Sequence, residues 1–397
     1  MNNHSICSKE RVQTTLALHE PDRVPIFELV INSPVASEIM GRGMLVGIGG
    51  RMMGPVRHDY SQQPGGLAAL TLQGIKDHLD LYEELDLDLI TLPTIYYEDA
   101  EIKEIAPLTY QFTQRSDGSW RIIKADLEAD TWGEVDCSIK QQGMDGFRRH
   151  VEYLEGSQPL TIPPAVIQAL KAMLAPHRRR FLLGVADVIQ PNHTSWFQIF
   201  LEAMVLEPEL VERYLIAGNR SMLNAMDAQI EAGFDGFIGG TDFAGINGPY
   251  FSPAMFRRFF VPRLKEITGH CHRHGRPFFK HTDGNITALG EAFLTECGFD
   301  GYHAIEPAAG MDIFALKKSH GRRLTLLGNV DCGRLLCQGE PEEVAVAVKQ
   351  LIQGCAPGGG YILSSSNSIH SGVKTKNFLA MLEAARKFGQ YPIRNNE

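Results

Sequence analysis

Eight short runs rich in Val, Ile, Leu and Phe recur along the chain, each continuously apolar where a half-exposed strand would alternate. They span 24–31, 87–92, 181–189, 236–239, 277–281, 301–305, 324–328 and 361–364. Continuous apolar character suits parallel strands covered on both faces. Helical patterns fill most of the intervals, at 65–84, 197–231, 253–274, 286–297, 312–320, 341–355 and 375–388. Such alternation predicts an α/β fold, and eight strands predict a (β/α)8 TIM barrel. An internal echo supports the winding. Ala232-Gly233-Phe234-Asp235-Gly236-Phe237 recurs as Cys297-Gly298-Phe299-Asp300-Gly301-Tyr302, each time leaving a helix through glycine and entering a strand. The acid in each copy is read as a turn former.

Four of the runs end in polar groups. Lys280-His281-Thr282-Asp283-Gly284-Asn285 closes the fifth, and Ile305-Glu306-Pro307 the sixth. Gly328-Asn329-Val330-Asp331 closes the seventh, and Ser364-Ser365-Ser366-Asn367-Ser368 the eighth. In a barrel these ends form one face, where the chemistry of the fold gathers. His281, Asp283, Glu306 and Asp242 are therefore the candidate catalytic residues. Glu28, Asn32, Asp187, Asn192, Asn285, Asn329, Asp331, Asn367 and His370 are candidate substrate contacts. Plainer readings compete: Asp283, Asn285 and Asp331 are good helix caps, Asp187 suits an interior layer of the barrel, and His370 suits solvent as well as the mouth.

The stretch 96–137 breaks the barrel rhythm. It is polar and turn-rich around Ser116-Asp117-Gly118-Ser119, with alternating segments on either side, and predicts a β-hairpin insertion after the second strand that borders the site. The glycine-rich 43–50 is expected beside it. No linker separates two domains, so residues 1–397 read as one. His270-Cys271-His272-Arg273-His274 invites a metal reading, but it ends a helix on the wrong side of the fifth strand, where cationic residues suit the helix dipole.

With a net charge of −9 and a pI near 5.9, the chain lacks the clustered Lys and Arg of a nucleic-acid surface. No apolar stretch approaches a bilayer span and the first residues lack a signal-peptide core, so cytoplasm is the expected location. Seven cysteines without a CxxC pair exclude a disulfide framework and a thiolate-rich zinc finger.

Glu10-Arg11-Val12, His19-Glu20-Pro21-Asp22-Arg23-Val24-Pro25, the HTDGN and EPAAGMD segments at 281 and 306, LLGNVD at 326 and GGGYILSSSNSIH at 358 together resemble the uroporphyrinogen decarboxylase superfamily. The resemblance implies a (β/α)8 barrel and one of two chemistries: cofactor-free decarboxylation of porphyrinogen acetates, or zinc-assisted methyl transfer involving a corrinoid or a thiol. The decarboxylases carry an Arg-Gln-Ala-Gly-Arg loop after the first strand; here that segment is Glu28-Leu29-Val30-Ile31-Asn32-Ser33-Pro34, with no arginine before Arg42. Their Phe-Ser-Asp segment is replaced by Thr91-Leu92-Pro93-Thr94. The methyltransferases bind zinc through His-x-Cys-Gly and a later cysteine. Here His281-Thr282-Asp283-Gly284 keeps the histidine, and Asn367 or Ser366 stands at the second cysteine. His281, Asp283 and Asn367 would make a harder nitrogen and oxygen site than thiolates do.

The resemblance thus implies a methyltransferase that takes a methyl group from a small methylated compound, such as a methyl ether, to a corrinoid carried by a partner protein, with zinc as a second expected cofactor. A homodimer is expected by analogy. Two readings stay open beside it: a metal-free decarboxylase or lyase on a smaller acid, and a non-catalytic barrel that binds a tetrapyrrole or small ligand.

Overall fold

A computed structural model describes residues 6–92, 100–159 and 161–393. Thirteen strands are present among them. β1 (Leu89–Thr91) is followed by an antiparallel excursion of β2 (Ala100–Ala106), β3 (Thr109–Gln114), β4 (Trp120–Asp126) and β5 (Thr131–Cys137). The parallel sheet resumes with β6 (Phe181–Val185) and β7 (Gly236–Gly239), and the small pair β8 (Ala244–Gly245) and β9 (Gly248–Pro249) comes next. β10 (Phe278–Thr282), β11 (Gly301–Ala304), β12 (Thr325–Leu327) and β13 (Tyr361–Ile362) complete it. The parallel sheet has seven strands in the order β1-β6-β7-β10-β11-β12-β13. Curled on itself, it is a TIM-barrel-like α/β fold.

The first apolar run is not a strand, and this corrects the expectation of eight. It nevertheless fills the gap between the two edges. Phe27 donates its N–H to Leu363 O and Leu363 N–H returns to Pro25 O on one side, while Asp88 N–H donates to Ile26 O on the other. The ladder stops there for two reasons. Pro25 has no N–H to give, and Ile26 gives its own to the Asp88 carboxylate at 2.9 Å.

Inside the sheet, Phe27, Leu89, Phe181, Leu183, Ile238, Phe279, Leu327 and Ile362 point to the axis. Val12, from the helix Ser8–Leu16, joins them. A larger apolar layer lies outside, between strands and helices. Both strand faces are covered, which is why the runs read as continuous. The repeated Ala-Gly-Phe-Asp and Cys-Gly-Phe-Asp turns do the same work twice. Gly233 and Gly298 take positive φ, and the Asp235 and Asp300 carboxylates accept the N–H of Leu182 and Phe278 on the neighbouring strand. Two expected helices are split where proline enters: Phe197–Leu206 from Pro208–Ala232, and Pro253–Phe259 from Val261–Arg273.

Where a hairpin was expected, β2 to β5 form a four-stranded antiparallel sheet, with residues 96–99 of the insertion outside the described residues. It has its own core of Met53, Ile102, Tyr110, Phe112 and Ile123. Trp132 Nε1–H donates to Ile48 O and Ser371 Oγ–H to Ala129 O, which anchors the β4–β5 end of this sheet to two loops of the barrel.

Asp88 is wholly buried and receives Arg11, Arg23 at 2.8 Å and the Ile26 N–H. Asp88→Ala leaves two arginines without their buried partner and frees the first run, so it should cost about 3–5 kcal/mol of unfolding free energy. Asp86→Ala, at the half-exposed acid of the same corner, should cost under about 1 kcal/mol. Urea titrations of both variants measure the difference; equal small losses would refute the closing role of Asp88.

Candidate active site

The C-terminal ends of β7 and β10 bring Asp242 against His281 and Asp283, which come 39 and 41 positions later in the chain. Asp242, His281 and Asp283 offer one nitrogen and two carboxylate oxygens, all within 4.8 Å of one another. His281 Nε2 lies 3.7 Å from Asp242 Oδ1 and 3.5 Å from Asp283 Oδ1. Asp242 is held on both oxygens: Oδ2 is 2.9 Å from His193 Nε2, and Oδ1 accepts the Asp283 N–H. Asp283 Oδ2 accepts from the Asn367 amide at 2.6 Å, whereas its Oδ1 is buried without a hydrogen-bond partner.

The protons on the histidines follow from the network. His281 Nδ1 and His303 Nδ1 are 2.8 Å apart, so one donates and the other accepts. Burial, reinforced by His281, holds His303 far below its ordinary value, so its ring is neutral. His303 Nε2 faces the Ser365 carbonyl, which can only accept, so its single proton sits there. His303 Nδ1 therefore accepts from His281 Nδ1–H. That leaves His281 Nε2 between two carboxylates, an arrangement satisfied by a proton or by a cation. Burial pushes the Asp242 carboxyl up, but the His193 bond and the nearby His281 outweigh it and hold the group below the usual range. Burial raises Asp283, with the Asp242 charge adding to the rise against His281 and Asn367. The two carboxyls are thus driven apart.

A second chain of contacts reaches the same place from beneath. Glu28 is fully buried. Its Oε1 accepts the Ser365 N–H at 2.9 Å and its Oε2 lies 2.6 Å from Ser365 Oγ. Ser365 Oγ also contacts the Asn367 carbonyl. The hydroxyl has one proton and that carbonyl can only accept, so the Glu28–Ser365 contact needs a proton on Glu28. Burial agrees, raising this carboxyl to about 8 against the opposing Ser365 bonds. Glu28 thereby fixes Ser365, Ser365 fixes Asn367, and Asn367 orients Asp283.

Above the group, a cavity of roughly 440 Å³ is lined by Asn32, Glu306, Asp331, Asn367 and His370 from the barrel and by Asp130 and Trp132 from the β5 end of the excursion. Glu306 Oε2 accepts the Gly284 N–H at 2.8 Å, and burial raises its carboxyl, with Asp283 and Asp242 adding to the rise. Asp331 caps its own loop through the N–H groups of Gly333 and Arg334. His370 Nδ1 accepts from Gly372 N–H. A larger cavity of roughly 550 Å³ lies between the excursion and the helix Ser138–Gly156, lined by Trp120, Arg149, His150 and Trp196 among others, apart from this carboxylate and histidine group.

Other candidates from the sequence lie elsewhere. Asp187 pairs with the fully buried Lys280 at 2.6 Å. Asn329 spends its amide on Ile305 O and Asn285 on Ala309 O, both as loop braces. Asn192 Nδ2 is buried and unpartnered on the loop after β6. Asn367 turns its amide nitrogen to Asp283 and its oxygen to Ser368 N–H, so it braces the Asp283 carboxylate, and Asp242 is the third acidic or histidine side chain beside His281 and Asp283. His193 and His303 went unselected in the sequence reading. His303 pairs in register with His281 across β10 and β11, a relation that no local pattern in the sequence marks. His193 is one residue from Asn192, with no further mark. His270, His274 and Asp227 also cluster within 4.8 Å, before β10, at the opposite ends of the strands.

The residues present fit a divalent ion, since Asp242, His281 and Asp283 are hard donors and one buried carboxylate oxygen has no partner. A thiolate is not among them. Cys332, on the cavity wall, is pushed up to about 12 by burial and keeps its proton.

A family model and a solved structure of like fold match the chain. The family model described as uroporphyrinogen decarboxylase (URO-D) matches residues 186–388. A solved structure of a methyltransferase from Methanosarcina mazei superposes with a TM-score of 0.63 at 19% identity, covering 96% of this chain and 99% of that one. The apo form of 3-keto-D-glucoside 4-epimerase from E. coli gives 0.38 at 10% identity, over 62% and 95% of the two chains. No curated protein sequence matches the chain.

The proton on Glu28 gives a pH test. Unfolded, this glutamate ionises near its ordinary 4.5, and folded near 8, so between those values the folded chain holds more protons and stability falls as pH rises. Glu28→Gln, whose amide can donate to Ser365 as the protonated acid does, should flatten that fall. Melting temperatures of both proteins across the window check it, and parallel curves would refute the buried proton.

Proposed function

Because the chain belongs to the uroporphyrinogen decarboxylase family, we propose that it is a methyltransferase that passes a methyl group from a small methylated compound to a corrinoid on a separate protein. The observation that carries this reading is His281 Nε2, set between Asp242 and Asp283 at the strand ends. The cavity above supplies carboxylates and, among the described residues, no Lys or Arg. A porphyrinogen with many carboxylates calls for several arginine or lysine partners, and such a lining repels it. The Methanosarcina mazei protein of like fold is named a methyltransferase, and the same class of activity is proposed here.

In this reading the donor lies in the mouth with its methylated heteroatom over Asp283, which keeps 30% of its side-chain surface. The acceptor is a second substrate. Its reduced cobalt contributes the electron pair of the new bond to the methyl carbon, and the pair of the old carbon–heteroatom bond stays on the heteroatom. A departing oxygen then needs a positive partner. His281 Nε2 can supply a proton, held between Asp242 and Asp283 until transfer. A divalent ion such as zinc, held by Asp242, His281 and Asp283, would instead supply Lewis acidity to that heteroatom. Asp242 keeps its charge through His193, and Asn367 keeps Asp283 aligned.

The test is a complete mixture of this protein, a reduced corrinoid protein and a panel of methyl ethers and methylated amines, followed by the absorbance of methylcobalamin. His281→Ala should lower the rate by about 10²–10⁴-fold. Elemental analysis of the wild type and this variant reports whether a metal is held by the group. Absence of methylcobalamin across the panel would sink the proposal.

A further inference from the structure

The mouth cavity carries three carboxylates, those of Asp130, Glu306 and Asp331. Among the described residues its lining has no Lys or Arg. Arg334 approaches Asp331 at 3.9 Å, but its side chain is 84% exposed, so solvent screens that pair. The three acids do not form a metal-sized group: they are absent from the described clusters whose ligand atoms lie within 4.8 Å of one another. They stand around a space far larger than an ion.

Asp130 is the telling member. It is 4% exposed, and its Oδ1 accepts the Arg51 N–H at 3.1 Å, yet its Oδ2 has no hydrogen-bond partner. Its backbone has φ of 50°, a conformation that a residue with a side chain adopts at some cost. Gly49 makes room for it, since a Cβ there would lie 2.0 Å from Asp130 Oδ2. That oxygen is closed off against Gly49, so the carboxylate acts on the cavity through its charge, which burial leaves little screened. Next to it stands Trp132, on the same cavity wall, with its ring fixed by the 3.0 Å bond from Nε1 to Ile48 O. Carboxylates spread around an aromatic wall suit an organic cation, which takes Coulomb attraction from one and quadrupole attraction from the other.

We propose, resting on the methyltransferase reading, that the methyl donor is an organic cation, with its methylated heteroatom over Asp283 and a separate ammonium or sulfonium group between Asp130, Glu306 and Trp132. The excursion β2–β5 then acts in substrate selection, because Asp130 and Trp132 both belong to it. Anionic methylated compounds are rejected at the same wall.

Calorimetric titration with choline, its neutral carbon isostere 3,3-dimethyl-1-butanol and the anion 3,3-dimethylbutanoate tests this without a corrinoid. Choline should bind at least about tenfold more tightly than the neutral compound, and added salt should weaken choline alone. Asp130→Asn and Glu306→Gln should each cost choline about threefold or more while leaving the alcohol unchanged. Should either variant fail to fold, the salt dependence and the three-ligand comparison on the wild type still decide. Equal binding of choline and the alcohol, preference for the anion, or no binding of choline or tetramethylammonium would each overturn the proposal. Methyl transfer is not read in this experiment, so cation selectivity can stand where that activity fails, and fail where it stands.

Discussion

Closure of the parallel sheet depends on one buried carboxylate. Asp88 takes two arginines and a backbone N–H that would otherwise extend a strand ladder, and so holds the run 24–31 between β1 and β13. Seven strands without that seam would leave an open edge and an exposed interior. With the seam, all strand C-termini converge on one mouth. The charge is tolerated because it is paired: Arg11 reaches Asp22 and Arg23 reaches Asp86 as well, so the corner is a network of paired cations and anions with little left unsatisfied. Everything at the mouth inherits its positions from this closure, Glu28 and Asn32 most directly, since both lie on the run that Asp88 holds.

Polar groups below the mouth obey strict proton counting. His303 carries its proton on Nε2, toward Ser365 O and Ser364 Oγ, which turns His281 so that its other nitrogen faces Asp242 and Asp283. Ser365 has one hydroxyl proton and two neighbours that ask for it, and the buried Glu28 carboxyl resolves the conflict by keeping its own. Two serial chains therefore arrive at the Asp283 carboxylate, one through histidines and one through Ser365 and Asn367. Each is long enough that loss of a distant member disturbs the site without touching it.

The strand ends were readable because burial on both faces forces continuous apolar runs, and polar residues that interrupt them must have a reason to be there. That argument finds His281, Asp283 and Glu306 directly. It also raises Asp187, Asn285 and Asn329, whose polar atoms serve an ion pair and two loop carbonyls. Composition at a strand end cannot separate a brace from a reactive group, since both are polar and buried. His303 was hidden inside an apolar strand, and His193 stands on a loop whose path no local pattern specifies. The first run read as a strand because its hydrophobicity is that of one; Pro25 and the side chain of Asp88, remote in sequence, stop the ladder.

Local sequence thus determined the order of strands and helices, the face on which polar groups gather and the lack of cysteine ligands. Period and composition act over a few residues, and those properties are local. Tertiary structure alone decided that Asp242, from the loop after β7, completes the group with His281 and Asp283, that Asn367 serves Asp283, and that Asp130 and Trp132 of the excursion wall the mouth. These are contacts between residues 39 to 84 positions apart, set by register and closure, and no stretch of chain encodes them by itself.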